Sequence, residues 1–482
     1  MDEAWYSLGI TYLNWSKMTA RKLIDREAPS PYGRLLLAEL QAVAGILVGA
    51  KTNLWAAVEA RPDSLDSRIA LARFYLDYGD DPGRFSAARE QLNRASSFAP
   101  DDPCVLMTVA RLELMQENYP EALVPLQRVF EADPLLGQKQ ASELLVGFTP
   151  EALQTLVRGL CKDGTASPNP AACAAQSSAV AALLFTAYDE LGEANNAVES
   201  KRALERLAKT TKAAAVHLAS ASYSARFKQL DLARHSRTLS TQEKTDLGVL
   251  AFHLGKYDQA LQVLNQVYDD RALYFFSQTS RALAREAFLE AIRRNPDSYR
   301  SHLLLADLAN DRHDAAQALA EYEKAAEIGA DNPEVELSFV QFLTSQGRDS
   351  AALARAEVAL QRFPTHAGLN SEIGSLLLKA KRTEEAEPYF ERALAADPDL
   401  TMARAGLADV HAAQGDLKRA IPEMDAALHG DPDGSYHYRL GRWLQKTGQV
   451  READEAFRAS TKLKEEKLKR DVERFSSLRP AN

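Results

Sequence analysis

Cysteine is scarce in this chain of 482 residues, which holds only Cys104, Cys161 and Cys173. Three cysteines cannot staple a scaffold of this length, and their spacing is not that of a metal knuckle. No run approaches the ~20 apolar residues that cross a bilayer, so membrane insertion is not expected. Basic residues are also in deficit, 58 Lys and Arg against 67 Asp and Glu, giving a net charge of −9. Nucleic-acid binders carry a basic surface, so nucleic acid is not an expected partner. The opening Met1-Asp2-Glu3-Ala4-Trp5 lacks the basic-then-apolar order of a signal peptide, and the chain reads as soluble.

Catalytic signatures are missing too. The nine histidines are scattered singly, with no His-Glu-x-x-His pair. Gly248 to Gly255-Lys256 has the wrong spacing for a phosphate loop, and no Gly-x-Ser-x-Gly elbow occurs. The expectation is therefore a protein that is not an enzyme, with no cofactor and no metal site.

What is present is a period. Pro296, Ala330, Pro364, Pro398 and Pro432 lie 34 residues apart, and Pro100 and Pro134 repeat the step. Ala88, Ala122, Ala318, Ala352, Ala386, Ala420 and Ala453 share one place in the period, as expected where two antiparallel helices cross closely. Gly79, Gly347, Gly415 and Gly448 fall at the turn between helices, where positive φ favours glycine. Thr383 and Asp416 are expected caps of second helices. Pro388 and Pro422 are expected early in those helices, where a missing N–H is best tolerated.

A second period is larger. Leu35-Leu36-Leu37-Ala38-Glu39-Leu40 matches Leu303-Leu304-Leu305-Ala306-Asp307-Leu308 at an offset of 268. The chain thus reads as two related arrays in tandem. A hairpin Leu247–Val267 precedes the matched region in the second array, and its counterpart before residue 3 is missing. This points to a longer parent protein, whose export the opening residues do not exclude.

The recurring Leu-Gly or Leu-Ala, Ala, aromatic and Pro positions, clearest in Leu407-Ala408, Ala420, Met424 and Pro432, resemble the tetratricopeptide repeat (TPR) signature. The resemblance extends to bacterial multi-repeat proteins, many of them exported. It implies an all-α protein, an α-solenoid in which TPR-like antiparallel hairpins coil into a right-handed superhelix. Residues 1–134 are expected to form an N-terminal array and 135–240 divergent hairpins with a loop at 162–172. Residues 241–460 are expected to form the regular C-terminal array, and 461–482 a capping helix and tail. Leu463, Leu468, Val472 and Phe475 supply the cap's apolar stripe.

The resemblance also implies the function: a non-catalytic interaction scaffold that holds extended proteins or peptides on its concave face. A second reading is a regulatory or targeting subunit of an enzyme complex, such as a glycosyltransferase or secretion apparatus. The inward ninth repeat position carries Glu39, Arg73 and Arg111 in the first array. In the second it carries Asp307, Gln341, Ser375, Asp409 and Arg442. Leu303, Leu337, Ser371 and Ala405 stand where the family's carboxylate clamp has Lys and Asn, which disfavours chaperone-tail binding. Arg439, Arg442 and Lys446, beside Tyr438, form a basic stripe for an acidic segment, unless Arg442 is satisfied by Asp409.

Cys161 and Cys173 bracket the Gly/Ser/Pro/Asn stretch. In an exported protein a bridge there would contribute about 3 kcal/mol, whereas in a cytosolic one they are two reduced thiols. Cys104 reads as a small core residue. Neither the compartment, the partner nor the oligomeric state is written in these residues.

Overall fold

The structure, a computed structural model, describes residues 2–24, 29–43, 45–79, 82–145, 148–161, 173–174, 176–211, 222–311, 314–431 and 433–475. Every regular element among them is helical. The stretch 162–172, Pro432 and everything after residue 475 lie outside the described residues, as do the side chains of Leu468, Val472 and Phe475.

The chain opens with α1 (Asp2–Ile24). Helical pairs follow: α2 (Pro31–Val43) with α3 (Leu47–Ala60), α4 (Leu65–Tyr78) with α5 (Arg84–Phe98), and α6 (Pro103–Met115) with α7 (Tyr119–Ala132). Then come α8 (Pro134–Leu144), α9 (Pro150–Leu160), and the pair α10 (Ser178–Glu190) and α11 (Ala194–Thr211). Next are α12 (Tyr223–Ser236), the pair α13 (Thr241–His253) and α14 (Tyr257–Leu264), and the long α15 (Asp270–Arg294). The regular array pairs α16 (Tyr299–Asp311) with α17 (Ala315–Ile328), α18 (Pro333–Ser345) with α19 (Asp349–Arg362), and α20 (Ala367–Lys379) with α21 (Thr383–Ala396). It closes with α22 (Thr401–Ala413) and α23 (Leu417–Ala427), then α24 (Ser435–Lys446) and α25 (Val450–Phe475). Two compact units result, Ile10–Arg285 and, with Met1–Gly9, Glu286–Arg474.

Helix starts are written locally. Ser64, Asp102, Asp314 and Asp416 each accept a hydrogen bond from a first-turn backbone N–H, and Ser240 with Glu243 forms a complete capping box. Thr383 does not cap: it is the first residue of α21, and Arg382 before it instead pairs with Glu385. Pro388 and Pro422 lie deeper than expected, inside α21 and α23. Both are exposed, so the carbonyl each leaves unbonded faces water rather than core.

Packing follows the small residues. Ala88, Ala122, Ala318, Ala352, Ala386, Ala420 and Ala453 are all fully buried. Phe390 of α21 fills the space that two glycines leave. A Cβ on Gly374 would meet its ring at 2.8 Å, and one on Gly406 at 2.3 Å. Phe390 thereby ties its own hairpin to the next, the nearest-neighbour coupling on which repeat arrays depend.

At the turns, Gly347, Gly415 and Gly448 take φ of 70°, 86° and 83°. Gly79 does not, with φ −81°; there the constraint is space, because a Cβ would lie 2.6 Å from the Tyr75 carbonyl oxygen. Lys381, which holds the turn place of Gly347 and Gly415 in its own repeat, adopts φ 61° without glycine's freedom.

Cys161 and Cys173 are joined in a disulfide, with Cα atoms 5.3 Å apart, and both sulfurs sit in the core formed by α6–α11.

Candidate functional site

The first-helix face of the regular array carries the stripe singled out in the sequence. Asp307 accepts a hydrogen bond from Tyr322 (2.7 Å), and Ser375 is bonded back to the Ser371 carbonyl (2.9 Å). Gln341 is exposed. At the far end of this face, Asp409 pairs with Arg439, not with Arg442. The helix geometry explains the exchange: one turn separates the two arginines on α24, and the one nearer the helix start meets the carboxylate of α22. Burial pushes the Asp409 carboxyl up to about 6, against the opposing pull of Arg439.

Arg442 and Lys446 are exposed and have no ion-pair partner among the described residues. Tyr438 is 45% exposed, its ring 5.7 Å from Phe457 and under the Lys464 ammonium at 5.0 Å. The end of the array thus presents Arg442, Lys446 and Lys464 around an aromatic ring. Such a surface can take a carboxylate through charge-assisted hydrogen bonds, with the ring as an apolar rest.

The first array behaves differently, in a way its sequence did not announce. Glu39 of α2 accepts hydrogen bonds from Tyr274, from Gln278 (2.8 Å) and from Arg281 (2.9 Å), all on α15. Asp66 of α4 takes Arg271 at 2.9 Å. Asp102, at the start of α6, takes the Tyr223 hydroxyl at 2.9 Å, and Lys139 of α8 reaches Tyr257 at 3.1 Å. Arg111 is held by Asp77 at 2.8 Å. Residues 222–285 therefore cover the face that the ninth-position residues were expected to offer. The available signal was the spacing of Arg271, Tyr274, Gln278 and Arg281, which places all four on one face of a helix.

Beneath this cover lies a buried polar knot. Cys104 Sγ is 3.6 Å from His253 Nδ1 and 3.6 Å from the Tyr223 hydroxyl. Burial pushes the thiol up to about 12 and the imidazole down to about 3, so both are neutral at pH 7. A neutral buried thiol is neither nucleophile nor metal ligand. No group of three or more His, Cys, Asp or Glu side chains suited to a metal occurs among the described residues. Nor is any helix among them long and apolar enough to cross a membrane.

The regular array also holds an open cleft of about 580 Å³ between the first turns of α18 and α20 and the connection that leads into α22. Leu337, Phe363 and Leu400 give it an apolar floor, and Glu334, His366 and Asp397 a polar rim. His366 Nδ1 accepts from the Leu369 N–H (3.2 Å), so its proton sits on Nε2 and points to Glu334 at 3.0 Å.

The tetratricopeptide-repeat profile matches residues 270–333, 345–401 and 371–435. Superkiller protein 3 of Schizosaccharomyces pombe is 23% identical over 210 residues, 42% of this chain, which spans only 15% of that relative's length. Among solved structures, a MamA fragment from Desulfovibrio magneticus RS-1 is 23% identical, over 35% of this chain and 96% of that one, with a TM-score of 0.30. PilF of Pseudomonas aeruginosa is 20% identical, over 47% of this chain and 90% of that one, with a TM-score of 0.33. YrrB, described as a TPR protein with an unusual peptide-binding site, is 23% identical, over 37% and 92%, with a TM-score of 0.29.

Proposed function

We propose that this chain, a tetratricopeptide-repeat protein, is a non-catalytic scaffold that holds an extended, acidic protein segment on the first-helix face of its regular array. The observation that carries the reading is a contrast in charge satisfaction. In the first array the face carboxylates and arginines are consumed inside the chain, whereas Arg442 and Lys446 of α24 stand exposed with no ion-pair partner among the described residues. The face runs from Asp307 through Gln341 and Ser375 to Asp409 and then the basic end, an order that fixes the direction of a bound segment. The same reading keeps 1–134 and 241–460 as the two arrays, with 135–240 joining them.

The test is titration of an acidic peptide, fluorescently labelled, against the whole protein at two salt concentrations. Reversal of Arg442 and Lys446 to Glu should weaken binding by about 1–3 kcal/mol. Reversal of the exposed Lys418 on the second-helix side should change it by less than about 1 kcal/mol. Arg439 is left intact, because its loss would strand the Asp409 carboxylate. Equal losses for both variants would mean diffuse electrostatics and sink the assignment.

A further inference from the structure

The two arrays are related residue by residue, and the first shows what its face receives. The register is 268 residues up to the insertion Asp80-Asp81-Pro82-Gly83, which is four residues long. Beyond it Pro100 and Pro134 fall on Pro364 and Pro398, a register of 264. Asp66 therefore corresponds to Glu334, Asp102 to His366, Cys104 to Gly368 and Asp133 to Asp397. All four second-array residues line the 580 Å³ cleft.

In the first array the same four positions form a socket for the chain's own Ser222-Tyr223-Ser224 and Arg271. The Tyr223 hydroxyl donates to Asp102 (2.9 Å) and lies 3.6 Å from Cys104 Sγ. Asp133 accepts the Ser224 N–H (3.1 Å) and the Ser222 hydroxyl (3.4 Å). Asp66 takes Arg271. Tyr223 is 7% exposed there, so the socket swallows the whole ring.

The second-array cleft keeps two of the three carboxylates; at the third place Asp102 gives way to His366, so a tyrosine hydroxyl there meets an imidazole in place of a carboxylate. Carboxylates remain at Glu334 and Asp397, and both residues are exposed at the rim. Glycine replaces Cys104, removing a side chain from the wall, while Leu337, Phe363 and Leu400 supply the apolar contact a ring requires. Arg362 also belongs to the lining but is paired with Asp331 (2.8 Å), so the carboxylates of Glu334 and Asp397 beside the apolar floor favour a cationic, aromatic insert.

We infer that this cleft is a docking socket for a segment of another polypeptide that presents a tyrosine between small polar residues, with a basic residue nearby, at the start of a helix. The inference rests on reading the regular array as a binding surface, and it adds a second contact, distinct from the basic end at α24.

The probe is a labelled synthetic peptide of the chain's own Ser222–Ser236 sequence, titrated against the whole protein by fluorescence anisotropy. Saturable binding is expected, weakened at least about tenfold by Glu334→Lys with Asp397→Lys, since charge-assisted bonds are lost and repulsion added. Replacing the peptide's tyrosine by alanine should weaken it comparably. Thr365→Trp, on the exposed loop at the cleft mouth, is the second variant and should also block it, with circular dichroism showing each variant folded. Absence of saturable binding at millimolar peptide, or binding indifferent to the cleft variants and to the tyrosine, overturns the proposal. Loss only on Arg442→Glu with Lys446→Glu would place the peptide on the basic end, overturning the socket while leaving the scaffold reading intact. Sedimentation is the companion measurement: a dimer of the chain that dissolves in the cleft variants would give the socket to a second copy and overturn a foreign partner.

Discussion

Phe390 offers the sharpest test of how neighbouring hairpins are coupled. Its ring is fully buried between Gly374 of its own hairpin and Gly406 of the next. A methyl group on Gly406 would sit 2.3 Å from two ring carbons, whereas carbon atoms are comfortable at about 3.5–4.0 Å. The ring cannot retreat, because the Gly374 side allows only 2.8 Å for a Cβ. Overpacking of this kind costs about 1–3 kcal/mol, and the better helix propensity of alanine returns about 1 kcal/mol. Gly406→Ala should therefore destabilise α20–α22 in the native background by up to about 2 kcal/mol. With Phe390→Leu in place, the methyl has room and the same substitution should become neutral or stabilising by up to about 1 kcal/mol. The double-mutant cycle should return a coupling of about 2 kcal/mol. Amide hydrogen exchange is the appropriate assay, since it reports opening of α20, α21 and α22 without assuming that the whole array unfolds at once. Additivity of the two substitutions within about 0.5 kcal/mol would refute the wedge.

Other consequences are separately measurable. Lys381→Gly should raise the midpoint of thermal unfolding or leave it unchanged, because a left-handed φ costs a non-glycine residue about 1–2 kcal/mol; Gly415→Ala should lower it. Glu39→Ala removes the acceptor of Tyr274, Gln278 and Arg281 and should destabilise the cover by about 2–3 kcal/mol, with faster proteolysis within 222–285 as the readout. Acid should act with opposite signs at two buried groups. His253 is depressed to about 3, so its contribution is present above its unfolded pKa near 6.5 and is lost as pH falls, by about 2 kcal/mol at pH 5. Asp409 is raised to about 6, so its contribution is greatest below about pH 4 and is lost as pH rises through 6. Hydrogen exchange at pH 7 and 5 should show α13 loosening on acidification, an effect that His253→Phe abolishes, while α22 does not loosen.

What the sequence determined by itself was the repeat. The 34-residue step, the alanines at every crossing and the Asp416 cap are consequences of helix geometry and first-turn hydrogen bonding, interactions that span a few residues or one adjacent helix. Turn glycines were legible for the same reason at Gly347 and Gly415, but not at Gly79, where a neighbour's bulk rather than φ demands glycine. The tertiary structure decided the rest. Whether Arg439 or Arg442 meets Asp409 depends on the azimuth of α24 against α22, which a one-turn difference reverses. That Glu39 is consumed by α15, more than 230 residues away, follows from a packing that no local pattern encodes. The periodicity states only that such a face exists, because helices repeat every few residues, while what covers a face is set by whichever distant segment can satisfy its charges.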